Sequence, residues 1–391
     1  MRYVEYGNTG KRVSVVGFGG MRFDTKKPKE ENAGLLHYAC SKGINYFDTA
    51  PDYCDDQSED IFGIALKDMP GPWYVATKGM PTDFDTAQKA KDAVYKSLDR
   101  LGVDKIHFYH VWCLRKIEHW ELAMKPGGQY EGLLELKDEG VIDHIVCSSH
   151  MRGPEIRTVV ESGKVEGVLL GVNILNFPYR WDAVAAAKAC GCGVVAMNPL
   201  GGGEIPRHEK DFAFLASDGE TPTEAALRFV IACPEITVAL VGIGAREHID
   251  VACAVADRAE PFRAEDLERL RRHISENMDS ACTGCGYCEG CPQSIPVPSY
   301  MQYYNEKQVF GRTDEAMLKN LGFQHDWGLL VGRIASAGDC LECAECEEAC
   351  TQHLPIIERM SQIARWETEK ARRDAEKTKE GKERENARDD E

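Results

Sequence analysis

The chain has no apolar run long enough to span a bilayer. Its opening, MRYVEYGNTGKRVSVVGFGG, has no apolar stretch followed by a small-residue cleavage site. These two absences predict a cytoplasmic protein, outside both the membrane and the secretory route. Positive charge is also scarce. There are 47 lysines and arginines against 64 aspartates and glutamates, a formal net charge of −17. That balance argues against a non-specific grip on nucleic acid or an anionic membrane. It leaves room for a small anion in a local basic pocket. A glycine-rich dinucleotide fingerprint is missing too, because GFGGM (17–21) is not followed by a helix start.

Cysteine, by contrast, is abundant, with 16 in 391 residues. In a cytoplasmic protein this points to metal or catalysis rather than to disulfides. Eight cysteines, Cys40, Cys190 and Cys233 among them, are scattered and read as buried free thiols. The other eight form two runs. CTGCGYCEGCP holds Cys282, Cys285, Cys288 and Cys291, and CLECAECEEAC holds Cys340, Cys343, Cys346 and Cys350. Three thiolates at successive x2 spacings suit a [4Fe–4S] cluster, and the fourth cysteine of such a run ligates the other cluster. That rule groups Cys282, Cys285 and Cys288 with Cys350, and Cys340, Cys343 and Cys346 with Cys291. Structural zinc is the rival, since zinc sites also use paired CxxC groups. Overlapping CxxCxxC triplets would leave zinc with spare ligands.

From residue 1 to 258 short β-branched or aromatic runs alternate with longer helical patterns. The strand patterns cover 13–20, 45–50, 73–79, 105–112, 143–149, 166–173, 193–200 and 238–244. Between them lie helical patterns such as 87–102, 132–140 and 223–232, with Thr223 expected as a cap and Gly102 and Gly140 as stops. Eight strand–helix units in this length predict an α/β fold, a closed (β/α)8 TIM barrel. An open doubly wound sheet is the competitor. The stretch before the first strand reads as a hairpin turning at 7–10, placed to plug the barrel floor. Residues 259–276 read as a helical linker and 277–365 as the iron–sulfur domain. The long gap between the cysteine runs is helical in part, which favours an α-helical ferredoxin-like domain. The charged tail, 366–391, cannot bury a core and is a solvated helix or disordered.

Active sites of such barrels lie at the C-terminal ends of the strands. Asp48 ends the second strand in FDTA, Tyr53 follows in PDYC, Lys78 ends the third in ATKG, and His110 ends the fourth in YHVW. His107 shares that strand, but His110 lies at its end and is preferred. In this order and spacing the four residues resemble the Asp–Tyr–Lys–His tetrad of the aldo-keto reductase family. The continuation DDQSEDIFGIAL resembles that family's Ser-Glu helix opening. The cysteine runs narrow the resemblance to the branch with a fused C-terminal 4Fe–4S ferredoxin-like domain.

The resemblance implies an NADP(H)-dependent oxidoreductase, with NAD(H) as the alternative, acting on a small carbonyl or alcohol. Tyr53 would protonate the oxygen, Lys78 would ease that proton's release, Asp48 would hold Lys78, and His110 would orient the carbonyl. By the same resemblance the cofactor would be held by Ser149, His150, Asn173, Leu200, Gly201, Gly202, Gly244 and Arg246. Arg246 suits a 2′-phosphate. Two other functions fit the pattern. One is an electron-transfer protein paired with a ferredoxin or redox complex, and the other is a nicotinamide-sensing protein without turnover. Nothing in the loops names a substrate.

Overall fold

A computed structural model describes the chain except residues 152, 211, 218, 278–280, 283–285, 351 and 390–391. Backbone packing divides it into two compact units, Met1–Arg271 and Arg272–Glu391.

The first unit opens with an antiparallel hairpin of β1 (Tyr3–Glu5) and β2 (Arg12–Ser14). Eight parallel strands follow: β3 (Val16–Gly19), β4 (Tyr46–Asp48), β5 (Tyr74–Gly79), β6 (Ile106–Leu114), β7 (Ile142–Ser149), β8 (Gly167–Gly171), β9 (Gly193–Met197) and β10 (Val238–Gly242). They close into a barrel in chain order, with β10 pairing back onto β3. Each strand is buried on both faces, which is why these segments read as apolar runs rather than as alternating ones. The interior is filled by Tyr46, Ala76, Phe108, Val146, Leu169, Val195, Val238 and Leu240. Tyr6, at the end of β1, joins this cluster and is fully buried, so the hairpin does plug the barrel.

Helix ends follow local chemistry. Gly102 stops the helix Ala87–Leu101 in a left-handed conformation. The helix expected over 223–232 begins one residue earlier, as Pro222–Ala232, and is capped by Thr221 rather than Thr223. Pro222 takes the first helical position, and Thr221 and Glu224 form a reciprocal capping box.

The second unit is helical. The helices Val297–Phe310, Asp314–Asp326 and Ile356–Asp389 enclose Tyr300, Tyr303, Met317, Leu321, Met360 and Trp366. Cys282, Cys288 and Cys350 belong to the same buried cluster. The charged tail continues the last helix, with i,i+4 pairs such as Lys370–Asp374 and Arg372–Glu376. Among the described residues, no helix is long and apolar enough to cross a membrane.

Candidate active site

Asp48, Lys78 and His110 come from three adjacent strands, β4, β5 and β6. Register sets Lys78 level with His110, and Asp48 pairs with Ala76, two residues before Lys78 on the same face of its strand. Lys78 Nζ donates to Asp48 Oδ1 and, at 2.6 Å, to the Thr49 carbonyl. Both charged side chains are out of water, Lys78 at 0% and Asp48 at 2% exposure. Burial pulls each toward its neutral form, raising Asp48 and lowering Lys78, and their mutual attraction opposes both shifts. His110 Nε2 lies 3.6 Å from Asp48 Oδ2. Among the described residues, neither of these two buried atoms has a hydrogen-bond partner. Burial, with the Lys78 charge adding to it, holds His110 well below its usual range and therefore neutral.

Tyr53 sits in the loop after β4, where Asp52, Cys54, Asp55 and Asp56 all take positive φ. Such strained backbone gathers at functional sites. The loop is tied down at Gly20, whose carbonyl accepts from Ser58 Oγ at 2.8 Å and from Cys54 Sγ at 3.4 Å. Lys78 Nζ lies 5.1 Å from the Tyr53 ring centroid, and Trp112 meets the ring edge-on at 5.7 Å. The ammonium thus faces the ring. Burial, with Asp48 assisting, pushes the phenol up and keeps it protonated.

The rival histidine, His107, is structural: its Nδ1 accepts from Val75 N–H at 3.2 Å, and Trp73 and Tyr74 pack edge-on against its ring.

In the second unit the cysteines ring two cavities. The larger, about 160 Å³, is walled by Cys291, Cys340, Cys343 and Cys346, with Cys288 at its side. That is several times the ~30 Å³ of one water. The smaller is walled by Cys282, Cys288 and Cys350. Cys285 lies outside the described residues. The described cysteines are all free of disulfides. Soft thiolate sets of this kind suit iron–sulfur clusters.

Residues 15–275 match the Aldo/keto reductase family, which is more than half of the chain. The chain belongs to that family. Residues 281–354 of this aldo/keto reductase match the 4Fe-4S dicluster domain. L-galactose dehydrogenase of Arabidopsis thaliana is 27% identical over 282 residues, 65% of this chain and 88% of that protein. The oxidoreductase YqkF of Bacillus subtilis (strain 168) is 25% identical over 314 residues, 72% and 99% respectively. Among solved structures, aldo-keto reductase AKR11C1 from Bacillus halodurans (holo form) superposes with a TM-score of 0.60 at 22% identity, over 70% of this chain and 96% of that one. An aldo-keto reductase from Klebsiella pneumoniae in complex with NADPH superposes at 0.57 and 18% identity, over 68% and 93%. The structural matches establish the shared fold.

The residues expected to hold a cofactor in this aldo/keto reductase run from Ser149 at the end of β7, through the loops after β7, β8, β9 and β10, to Arg246 at the start of the helix after β10. Ser149 Oγ donates to Leu114 O and accepts from Met151 N–H. The Asn173 carboxamide accepts from Leu175 and Asn176 and donates to Asn198 O. Both side chains are thus engaged by the protein's own backbone. Burial holds His150 down at about 4, with Arg180 and Arg115 adding to the effect. Leu200 leads into three left-handed glycines, Gly201, Gly202 and Gly203 (φ 61°, 71° and 98°), a path L side chains rarely follow. A Cβ at Gly244 would come within 2.8 Å of Arg22 O. Arg246 opens the helix Arg246–Arg258, is exposed, and stacks 4.9 Å from the Tyr38 ring.

Sequence reasoning missed the Thr49 carbonyl as the second acceptor for Lys78, because a backbone contact leaves no residue-type signal. Trp112 packs on Tyr53, whereas Trp120 is buried against Tyr130 in the helix layer.

Proposed function

We propose that the barrel is an NADP(H)-dependent oxidoreductase interconverting a carbonyl and an alcohol at Tyr53, and that the C-terminal unit holds two [4Fe–4S] clusters. The observation behind the first part is the buried Asp48–Lys78 pair, with its ammonium against the Tyr53 ring and, beside it, His110 Nε2 without a hydrogen-bond partner among the described residues. A buried donor without a partner is costly, and a substrate carbonyl oxygen would satisfy it.

NADPH, when bound, supplies a hydride to the carbonyl carbon. The chain's part concerns the proton. Tyr53 is held protonated by burial, so at neutral pH its hydroxyl carries the proton that the nascent alkoxide needs. The Lys78 cation offsets the charge left on the phenol, and Asp48 keeps Lys78 in place. Neutral His110, in its Nε2–H form, orients the carbonyl.

Ser149, His150, Asn173, Leu200, Gly201, Gly202, Gly244 and Arg246 would hold the dinucleotide. The fit is physical. An exposed guanidinium at a helix N-terminus suits a phosphate, and the glycine turn puts no side chain between ligand and backbone. NADPH in the Klebsiella pneumoniae neighbour supports NADP(H). In the second unit, Cys282, Cys285, Cys288 and Cys350 would hold one cluster and Cys291, Cys340, Cys343 and Cys346 the other. The cavity walls support this division, with Cys288 lining both. The exposed Cys343 favours a second role, electron exchange with a ferredoxin-like partner. The wealth of free thiols supports a cytoplasmic setting.

Anaerobic purification with iron and sulfide analysis, followed by NADPH oxidation against a panel of carbonyls, tests the whole reading. The expected result is brown protein with about eight iron atoms per chain. Turnover should fall by roughly 10²–10⁴ in Tyr53→Phe. Colourless, zinc-loaded protein would overturn the cluster assignment. NADPH binding without reduction of any carbonyl would replace the enzyme with a sensor.

A further inference from the structure

The two cysteine cavities differ in their surroundings. The larger has carboxylates on its wall, Glu289 and Glu345, and a water-exposed rim at Tyr287 and Leu341, 67% and 65% exposed. The smaller has no aspartate or glutamate among its described lining residues. Its walls are apolar at Pro298, Met301, Leu354 and Ile356.

Beside the smaller cavity lies a cation. Arg359 stands in the first turn of the helix Ile356–Asp389, yet it is only 3% exposed. Its guanidinium lies 4.9 Å from the centroid of the Tyr304 ring. Tyr304 packs in the same buried cluster as Cys282, Cys288 and Cys350. Gln302 and Asn305, on the same helix as Tyr304, donate to the Cys282 carbonyl at 2.9 and 2.7 Å, which puts the arginine on the Cys282 side, and Cys282 and Cys350 both favour its charged form. Among helix residues that could carry a positive charge, a buried one is the expensive choice. The tetrad does not use it.

A [4Fe–4S] cluster held by four thiolates is anionic, and reduction adds a further negative charge. Net charge around a cluster is one of the protein's levers on its potential. A buried cation acts at low effective dielectric, whereas carboxylates on a wet rim are screened. The Glu342 N–H bond to Cys340 Sγ, 3.4 Å, favours reduction at the other cavity. It is a single neutral donor set against a full buried charge.

We propose that Arg359 sets a potential difference between the two clusters, making the one held by Cys282, Cys288 and Cys350 the more readily reduced. Arg359 is here a positioning charge and not a catalytic residue. The inference rests on the two-cluster reading above. It gives the C-terminal unit a direction: an electron entering at the exposed Cys343 side comes to rest at the buried cluster.

The test is an anaerobic redox titration of the full chain, followed by electron paramagnetic resonance, after iron analysis of each sample. Wild-type protein should show two separate one-electron waves. In Arg359→Met the higher wave should fall, shifting the electron partition by at least about tenfold, or 59 mV for a one-electron couple, while the lower wave stays in place. Arg359→Lys, which keeps the charge, should leave both waves near their wild-type positions. If the methionine variant is short of iron, Arg359→Gln is titrated in its place. Iron content well below two clusters in wild-type protein would sink the cluster reading itself. With both clusters present, coincident wild-type waves, or an unmoved higher wave in the neutral variant, would overturn the role of Arg359 alone.

Discussion

Lys78 is the most exacting residue in the barrel, because it carries its charge where no water reaches it. Its ammonium donates to Asp48 and to the Thr49 carbonyl, and Glu59 also favours its charge. Removing one partner of such a pair strands the other as an unpaired buried charge, which costs about 3–5 kcal/mol. Lys78→Met should therefore lower both stability and turnover. The double variant Asp48→Asn with Lys78→Met removes both charges. It should regain much of the stability, measured by urea unfolding, and none of the NADPH-dependent turnover. Recovery of turnover alongside stability would mean that the pair serves the fold and not the reaction. The meeting of Asp48, Lys78 and His110 was legible at this scale because the three lie toward the ends of successive strands, with Tyr53 in the loop after the first of them. Their electrostatics were not. Which face of Tyr53 the ammonium meets depends on a loop with four left-handed residues, and no composition signal specifies that path. Arg359 was hidden for a related reason: in a helix so rich in charge, a buried arginine reads like a surface one.

Among the elements, the strands were the most legible, since parallel strands covered on both faces appear as apolar runs. Their ends and caps were less so. Thr221 rather than Thr223 caps its helix because the fixed φ of Pro222 suits the first helical position. The hairpin plug at the barrel floor was legible as a turn pattern, but the packing of Tyr6 there was not. Tyr6 enters between the starts of β8 and β9, where both strands open on glycine. A Cβ at Gly193 would approach the Tyr6 ring to 2.3 Å, and one at Gly167 would approach its hydroxyl to 2.4 Å. The absence of side chains there makes room for the plug. Gly193→Ala should then destabilise the barrel by about 1–3 kcal/mol through overpacking. Combined with Tyr6→Leu, the alanine should cost less than it does alone, because the clashing ring is gone. Additive losses in the double variant, read by denaturant unfolding, would show that Gly193 and the plug are independent.

For the molecule as a whole, the two units rest on different kinds of core. The first has a continuous apolar interior inside a closed barrel. The second builds three of its cysteines, Cys282, Cys288 and Cys350, directly into its apolar cluster with Tyr300, Tyr303 and Met360. A cluster bound there would cross-link segments far apart in sequence, from Cys282 near the start of the unit to Cys350 before its last helix. Binding energy of that kind is folding energy, because the unfolded chain has no preformed site. The whole protein should therefore not unfold in a single step. Removing iron with a chelator under reducing, anaerobic conditions should open residues beyond about Arg272 to protease while a barrel-sized fragment survives. The barrel's own thermal transition should stay where it is in the iron-loaded protein. If the iron-free chain resists proteolysis throughout, the helices hold the second unit without metal. If the barrel melts along with it, the two units stabilise one another, and the division of the chain into separately held cores is wrong.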